Sequence, residues 1–75
     1  MELKDLITIF NKVLNPEGKE QINAQTEFKE LEEWSSLSAF TIVEQINEKF
    51  SVRIRGIQLR KCNNIEELFN LLNTK

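Results

Sequence analysis

The chain has 75 residues, a net charge of −2 and 29% charged residues, which is ordinary composition for one small globular domain, here residues 1–75. One cysteine excludes an internal disulfide, and the absence of histidine excludes Ser-His and Cys-His nucleophile pairs. The charge lacks the basic excess of a nucleic-acid-binding protein, and no stretch approaches the ~20 apolar residues of a membrane span. We therefore expect a soluble, cytoplasmic, monomeric domain without stable membrane insertion.

Apolar residues at helical spacing predict a first helix that ends at residue 14. They share one face: Leu3, Leu6, Ile7, Phe10, Val13 and Leu14. The sequence Asn15-Pro16-Glu17-Gly18 ends the helix, because proline cannot continue the hydrogen bonding and glycine opens a turn. Residues 15–35 then form a long loop, with a short helical turn expected in its second half. Its apolar anchors are Ile22, Phe28, Leu31 and Trp34.

A second helix is predicted from Ser36 to Phe50. Ser35 suits the N-cap position, because its hydroxyl can accept a hydrogen bond from an otherwise unpaired backbone N–H. The expected buried stripe, widened by Ala39 and Ile42, consists of Leu37, Phe40, Val43, Ile46 and Phe50.

Residues 51–56 alternate polar and apolar, but they have no partner strand, so we interpret them as an extended connector with Val52 and Ile54 turned inwards. A short helix follows from Ile57 to Lys61 or Cys62. Asn63 or Asn64 then caps a final helix. The buried face of that helix is expected to hold Ile65, Leu68, Phe69 and Leu72. Three principal helices, one short helix and a long first loop predict an all-α four-helix bundle.

The segment before and through the second helix resembles the acyl carrier proteins. The resemblance is carried by Phe28-x-x-Leu31-x-x-Trp34-Ser35-Ser36-Leu37, followed by an amphipathic helix that ends in Glu48-Lys49-Phe50. The order of helices along the whole chain is also similar to that family. The resemblance implies an acyl-carrier-protein-like bundle, whose serine at the start of the second helix carries a 4′-phosphopantetheine arm.

By position, the resemblance implies that Ser36 is the attachment serine, because Leu37 follows it as leucine does in the family's Asp-Ser-Leu motif. Ser35 then replaces the aspartate, which contributes to recognition by the phosphopantetheinyl transferase. The implied function is to carry an acyl or related intermediate as a thioester on the arm, which comes from coenzyme A. Acyl-loading and acyl-accepting enzymes of lipid or secondary-metabolite biosynthesis would be its partners, and the chain itself would catalyse nothing.

The resemblance also implies that the second helix docks on partner enzymes. The residues predicted to dock are Leu37, Glu44, Glu48, Arg53 and Arg55. The family's second helix is usually strongly acidic, whereas this one exposes only two glutamates. A basic cluster follows in the region of the third helix, where the family is more often acidic. The cluster consists of Arg53, Arg55, Arg60 and Lys61. We therefore expect a docking surface with one acidic and one basic part, and a dedicated partner.

Other interpretations of the same residues stay open. Ser35 and Ser36 can also be simply a helix cap and the residue that follows it. The chain would then be a degenerate carrier-like module that binds a protein and is never modified. The basic cluster can be solubilising, or it can contact a partner or a membrane surface. An enzymatic function is the least favoured interpretation, because neither serine is followed by a lysine at the S-x-x-K spacing that could act as its base. Cys62, near a helix start, is expected to have a lowered pKa but to be a passive thiol.

Overall fold

The computed structural model describes residues 2–18 and 21–73, and these residues form four α-helices and no strand. The helices are α1 (Leu3–Leu14), α2 (Ser36–Phe50), α3 (Gly56–Lys61) and α4 (Ile65–Asn73). A 3-10 turn, Phe28–Glu30, lies in the loop between α1 and α2. Helix α2 packs against α1 and α3, and α1 also packs against α4. The predicted four-helix bundle is confirmed, although α3 begins one residue earlier than Ile57.

The core collects the apolar faces of all four helices together with the long loop. Its fully buried side chains are Leu6, Ile9, Phe10, Leu14, Phe28, Ile42, Ile46, Leu59, Ile65 and Leu68. Among the described residues, no buried polar side-chain atom lacks a hydrogen-bond partner. The cost of burying unpaired side-chain polar groups is therefore avoided throughout this part of the chain.

The predicted buried stripe of α2 is wrong at its first two members. Leu37 is 74% exposed and Phe40 is 60% exposed. The core face is instead set by Ala39, Ile42, Val43 and Ile46, and Phe50 packs against it from its edge. At roughly 100° of rotation per residue, Leu37 and Phe40 lie about 170° and 110° from the centre of that face. They therefore point away from α1, and the apolar pattern of α2 contains two separate surfaces.

The long loop is pinned across the bundle, as predicted. Phe28 is fully buried between two aromatic neighbours, with ring centroids 4.9 Å from Phe10 and 5.3 Å from Trp34. Both pairs are tilted, which suits the electrostatics of aromatic rings. The loop is also tied to α4, because the Glu66 backbone N–H donates to the Ala24 carbonyl at 3.0 Å.

The connector between α2 and α3 is extended, and a side chain takes the place of the missing partner strand. The Asn47 Oδ1 accepts from the Ile54 N–H at 2.8 Å, and the Asn47 Nδ2 donates to the Ile54 carbonyl at 3.3 Å. Ile54 is buried and Val52 is partly buried, as predicted. Ser51 starts the connector in the left-handed region, at φ 56°, where glycine is the usual residue.

The cap of α4 is Asn64, which settles the choice between the two asparagines. The Glu67 backbone N–H donates to Asn64 Oδ1 at 2.9 Å. Asn63 lies one residue outside the cap, and its N–H donates to the Glu67 carboxylate at 2.8 Å. The two bonds together fix the turn between α3 and α4.

Candidate functional site

The start of α2 is held by a reciprocal pair of hydrogen bonds between Ser35 and Ser38. Ser35 is the N-cap in extended conformation, and its Oγ accepts from the Ser38 N–H at 3.2 Å. The Ser35 N–H in turn donates to Ser38 Oγ at 2.8 Å. This is a capping box with serine at both positions, and it confirms Ser35 as the cap.

Ser36 follows as the first residue of α2, and its surroundings differ from those of Ser35. It is exposed, and within residues 2–18 and 21–73 its hydroxyl has no hydrogen-bond partner. The Ser35 hydroxyl is instead engaged in the cap. Of the two adjacent serines, Ser36 therefore has the hydroxyl that is open to modification without disturbing the helix.

The electrostatics at Ser36 suit a phosphate. The first N–H groups of a helix have no partner within it, and α2 is 15 residues long. The macrodipole favours an anion at this end by about 0.3–1 kcal/mol at an exposed site. The residues present therefore fit a phosphate-linked group on Ser36.

The approach to the site is fixed from the loop side by Trp34. Its ring is half-buried against Phe28, and its backbone N–H donates to the Leu31 carbonyl at 3.0 Å. The Ser38 hydroxyl also donates a hydrogen bond to the Glu33 carbonyl at 3.1 Å. The chain before Ser36 is thus held at both the ring and the backbone, which fixes where α2 begins. Trp34 acts here as a core anchor, as its spacing in the loop predicts.

The predicted docking residues of α2 lie together on its outer face. Leu37, Glu44 and Glu48 are all exposed, and their spacing of seven and four residues keeps them on one side of the helix. Phe40 belongs to the same face, and Ile57 of α3 is a further apolar side chain with 60% exposure. Sequence reasoning missed both as surface residues. One signal in the sequence could have indicated that Phe40 is exposed. It lies three residues after Leu37 and four before Glu44, so it shares a helix face with these two predicted docking residues.

Arg53 and Arg55 are also exposed, but they do not lie beside Ser36. They line a shallow groove of the connector with Asn47, Ser51, Val52 and Ile54. That groove is at the C-terminal end of α2, and a helix of this length rises about 22 Å from one end to the other. The candidate docking surface therefore extends along the helix, from the apolar Leu37 beside Ser36, past Glu44 and Glu48, to a basic part at the connector.

The prediction of a lowered pKa for Cys62 is wrong. Cys62 is buried, and burial raises the pKa of its thiol, with the Glu67 carboxylate raising it further and Lys29 acting in the opposite direction. The thiol also donates weakly to the Gln58 carbonyl at 3.5 Å. Desolvation is the largest of these effects, so the thiol is held in its unreactive protonated form.

A helical bundle with an exposed serine at the N-terminal end of its second helix is the arrangement that the resemblance to carrier proteins predicts. The model of the family described as "Phosphopantetheine attachment site" matches residues 4–72. The chain belongs to this family, whose members bind 4′-phosphopantetheine covalently and typically act as carriers that interact with enzymes. Comparisons with curated proteins and with solved structures gave no significant match. None of the described helices is long and apolar enough to cross a membrane.

Proposed function

We propose that Ser36 is the attachment site and that the chain carries an acyl or related intermediate as a thioester between partner enzymes. One observation supports this most strongly. Ser36 and Ser35 are neighbours at the same helix end, yet the hydroxyl of Ser35 is used by the cap while that of Ser36 is exposed and unbonded among the described residues.

The residues around the site have separate tasks in this proposal. Ser36 Oγ forms the ester with the phosphate, and the backbone N–H groups of the first turn stabilise its negative charge. Ser35 and Ser38 hold the helix start, so that the position of the phosphate is set by the fold. The bound arm supplies the thiol on which the thioester forms. In this proposal the reactions on the carried group are catalysed by its partners.

Those partners are a phosphopantetheinyl transferase, an acyl-loading enzyme and an acyl-accepting enzyme. We assign docking to the outer face of α2 and to the connector, through Leu37, Glu44, Glu48, Arg53 and Arg55. All five are exposed. Because the charged members are exposed, they would speed encounter and make association sensitive to salt more than they would raise affinity.

The direct test is intact mass spectrometry after incubation of the apo protein with coenzyme A and a broad-specificity phosphopantetheinyl transferase. The wild-type chain is expected to gain one phosphopantetheine. Ser36→Ala should gain none, and Ser35→Ala should still gain one. A gain by Ser36→Ala but not by Ser35→Ala would show that the attachment residue is Ser35. No gain by the wild type, beside a control carrier that is loaded, contradicts the proposal for that transferase.

The second candidate is a carrier-like module that binds a protein and is never modified. The observation that favours it is the uncharged first turn of α2, where Ser35 replaces the family's aspartate and no acidic residue follows. It predicts that the chain purified from its own host has an unmodified Ser36. It also predicts a partner complex that is unchanged by Ser36→Ala. Protein from the host that already carries the arm excludes this alternative.

A further inference from the structure

The positive charge of the chain is concentrated in one short segment. All three arginines and one lysine lie between residues 53 and 61, which makes four of the ten basic residues and none of the twelve acidic ones. All four side chains are exposed: Arg53, Arg55, Arg60 and Lys61. A segment of this charge in a chain of net charge −2 is a local patch, since the rest of the molecule is acidic.

An exposed apolar side chain lies within this basic segment. Ile57 is 60% exposed, and it precedes Arg60 and Lys61 by three and four residues in α3, so the three share a helix face. Arg55 comes directly before α3 as its N-cap. Its N–H is fixed by Gln58 Oε1 at 2.9 Å. An apolar centre with a charged rim is the usual anatomy of a protein interface, and arginine is enriched there.

We infer that the partner surface that binds α3 has an apolar recess for Ile57, rimmed by aspartate or glutamate side chains that pair with the arginines. This deepens the proposed function and depends on it in one respect: the partner is taken to be an enzyme that acts on the group on Ser36. A basic partner surface would be repelled by the α3 patch. Arginine also fits carboxylates in planar pairs, which lysine does not.

A protein partner agrees with the charges better than an anionic membrane does. Helix α2, which exposes Glu44 and Glu48, packs against α3, so the acidic face and the basic patch belong to neighbouring helices. A uniformly negative lipid surface would attract α3 and repel α2. A folded partner can present carboxylates to α3 and neutral or basic groups to α2, so it can match both parts of the surface.

The test uses two synthetic amphipathic helices of about four turns with the same leucine ridge, one flanked by glutamates and one by lysines. Each is titrated into ¹⁵N-labelled protein with unmodified Ser36, and amide shifts are followed by NMR. The glutamate peptide is expected to shift residues 53–61 and to bind at least about tenfold more tightly than the lysine peptide. The double variant Arg53→Glu with Arg55→Glu should lose that preference. Ile57→Ala should bind the glutamate peptide several-fold more weakly than the wild type does.

Lys4→Glu with Lys12→Glu is the matched control, since both lysines are exposed on α1 and the change in net charge is the same. The control should keep the preference for the glutamate peptide. The inference is overturned if the control loses it equally, if the lysine peptide binds as tightly, or if neither peptide shifts residues 53–61. It is also overturned if phosphatidylserine vesicles shift these residues more strongly than the glutamate peptide. Since Ser36 is unmodified throughout, these outcomes are independent of the mass measurement on loading.

Discussion

Ser35 and Ser38 close the first turn of α2 on each other. The Ser38 N–H donates to Ser35 Oγ at 3.2 Å, and the Ser35 N–H donates to Ser38 Oγ at 2.8 Å. Serine is less common than glutamate or glutamine as the second member of a capping box, and here its hydroxyl also donates to the Glu33 carbonyl at 3.1 Å. The arrangement leaves Ser36, between the two, with a hydroxyl that has no structural task among the described residues.

Ser35→Ala is expected to lower the free energy of unfolding by about 1 kcal/mol, because it removes the side chain that accepts from the Ser38 N–H. In a domain of this size the melting temperature should fall by about 4–8 °C. Ser36→Ala is the matched control, and its effect should stay within about 0.5 kcal/mol because the residue is exposed. Thermal unfolding followed by circular dichroism measures both. Equal losses for the two variants would show that the Ser35 hydroxyl is not the cap.

Asn47→Ala is expected to destabilise the chain by about 2 kcal/mol. The change removes two hydrogen bonds to Ile54 and leaves a partly buried backbone N–H without its acceptor. Urea unfolding gives the free energy directly. Asn70→Ala, at an exposed position of α4, is the control and should cost less than about 0.5 kcal/mol. If Asn47→Ala costs no more than the control, the connector is held by packing alone.

The helices of this chain could be predicted from sequence because each has a local signal. The spacing of apolar residues defined α1 and α4, and Pro16 and Ser35 defined where helices end and begin. The role of Asn47 could not be predicted, because its partner Ile54 is seven residues away and in an irregular segment. A polar residue on a predicted helix has the same local pattern whether it faces solvent or holds a connector.

The position of Ser36 at the start of a helix was predictable from sequence, whereas the surface around it was less so. Ser36 followed from a motif at a helix start, but the exposure of Leu37 and Phe40 did not follow from periodicity. An apolar stripe that serves the core and one that serves a partner have the same spacing. Only the packing of α2 against α1 and α3 separates the two surfaces, and that packing is a tertiary property.

Phe28→Leu is expected to cost about 1–3 kcal/mol, because it keeps an apolar side chain but removes both aromatic pairs, with Phe10 and with Trp34. Leucine is chosen because alanine would leave a cavity costing about 3–5 kcal/mol, which a small domain can scarcely tolerate. The fluorescence of Trp34 should also change, since its ring packs on Phe28. Phe69→Leu on α4 is the control, with partial burial and no ring pair among the described residues. Equal effects of the two variants would contradict a specific role for the aromatic series.

The stability of the chain is expected to fall at alkaline pH because of Cys62. Burial, then Glu67, raises the pKa of its thiol in the folded state. Above the ordinary cysteine pKa of about 8.5, the unfolded chain loses this proton while the folded chain keeps it, so unfolding becomes more favourable as pH rises. Urea unfolding between neutral pH and about pH 10, below the main titration of lysine, measures the slope. Cys62→Ala should remove much of the dependence of the unfolding free energy on pH, and Glu67→Gln should reduce it. If Cys62→Ala leaves this dependence unchanged, other groups cause it.

Ser35→Asp is expected to speed the loading of Ser36 by a phosphopantetheinyl transferase. Aspartate is as good an N-cap as serine, so the helix start should keep its geometry. Its carboxylate adds a favourable charge at the positive helix end and restores the aspartate that the resemblance to acyl carrier proteins implies at this position. Initial rates of mass gain are compared with those of Ser35→Asn. Because asparagine caps the helix without a charge, the comparison separates the effect of the charge from the effect of capping. If aspartate and asparagine load at the same rate as serine, the missing charge does not limit modification, and the uncharged first turn no longer favours an unmodified module.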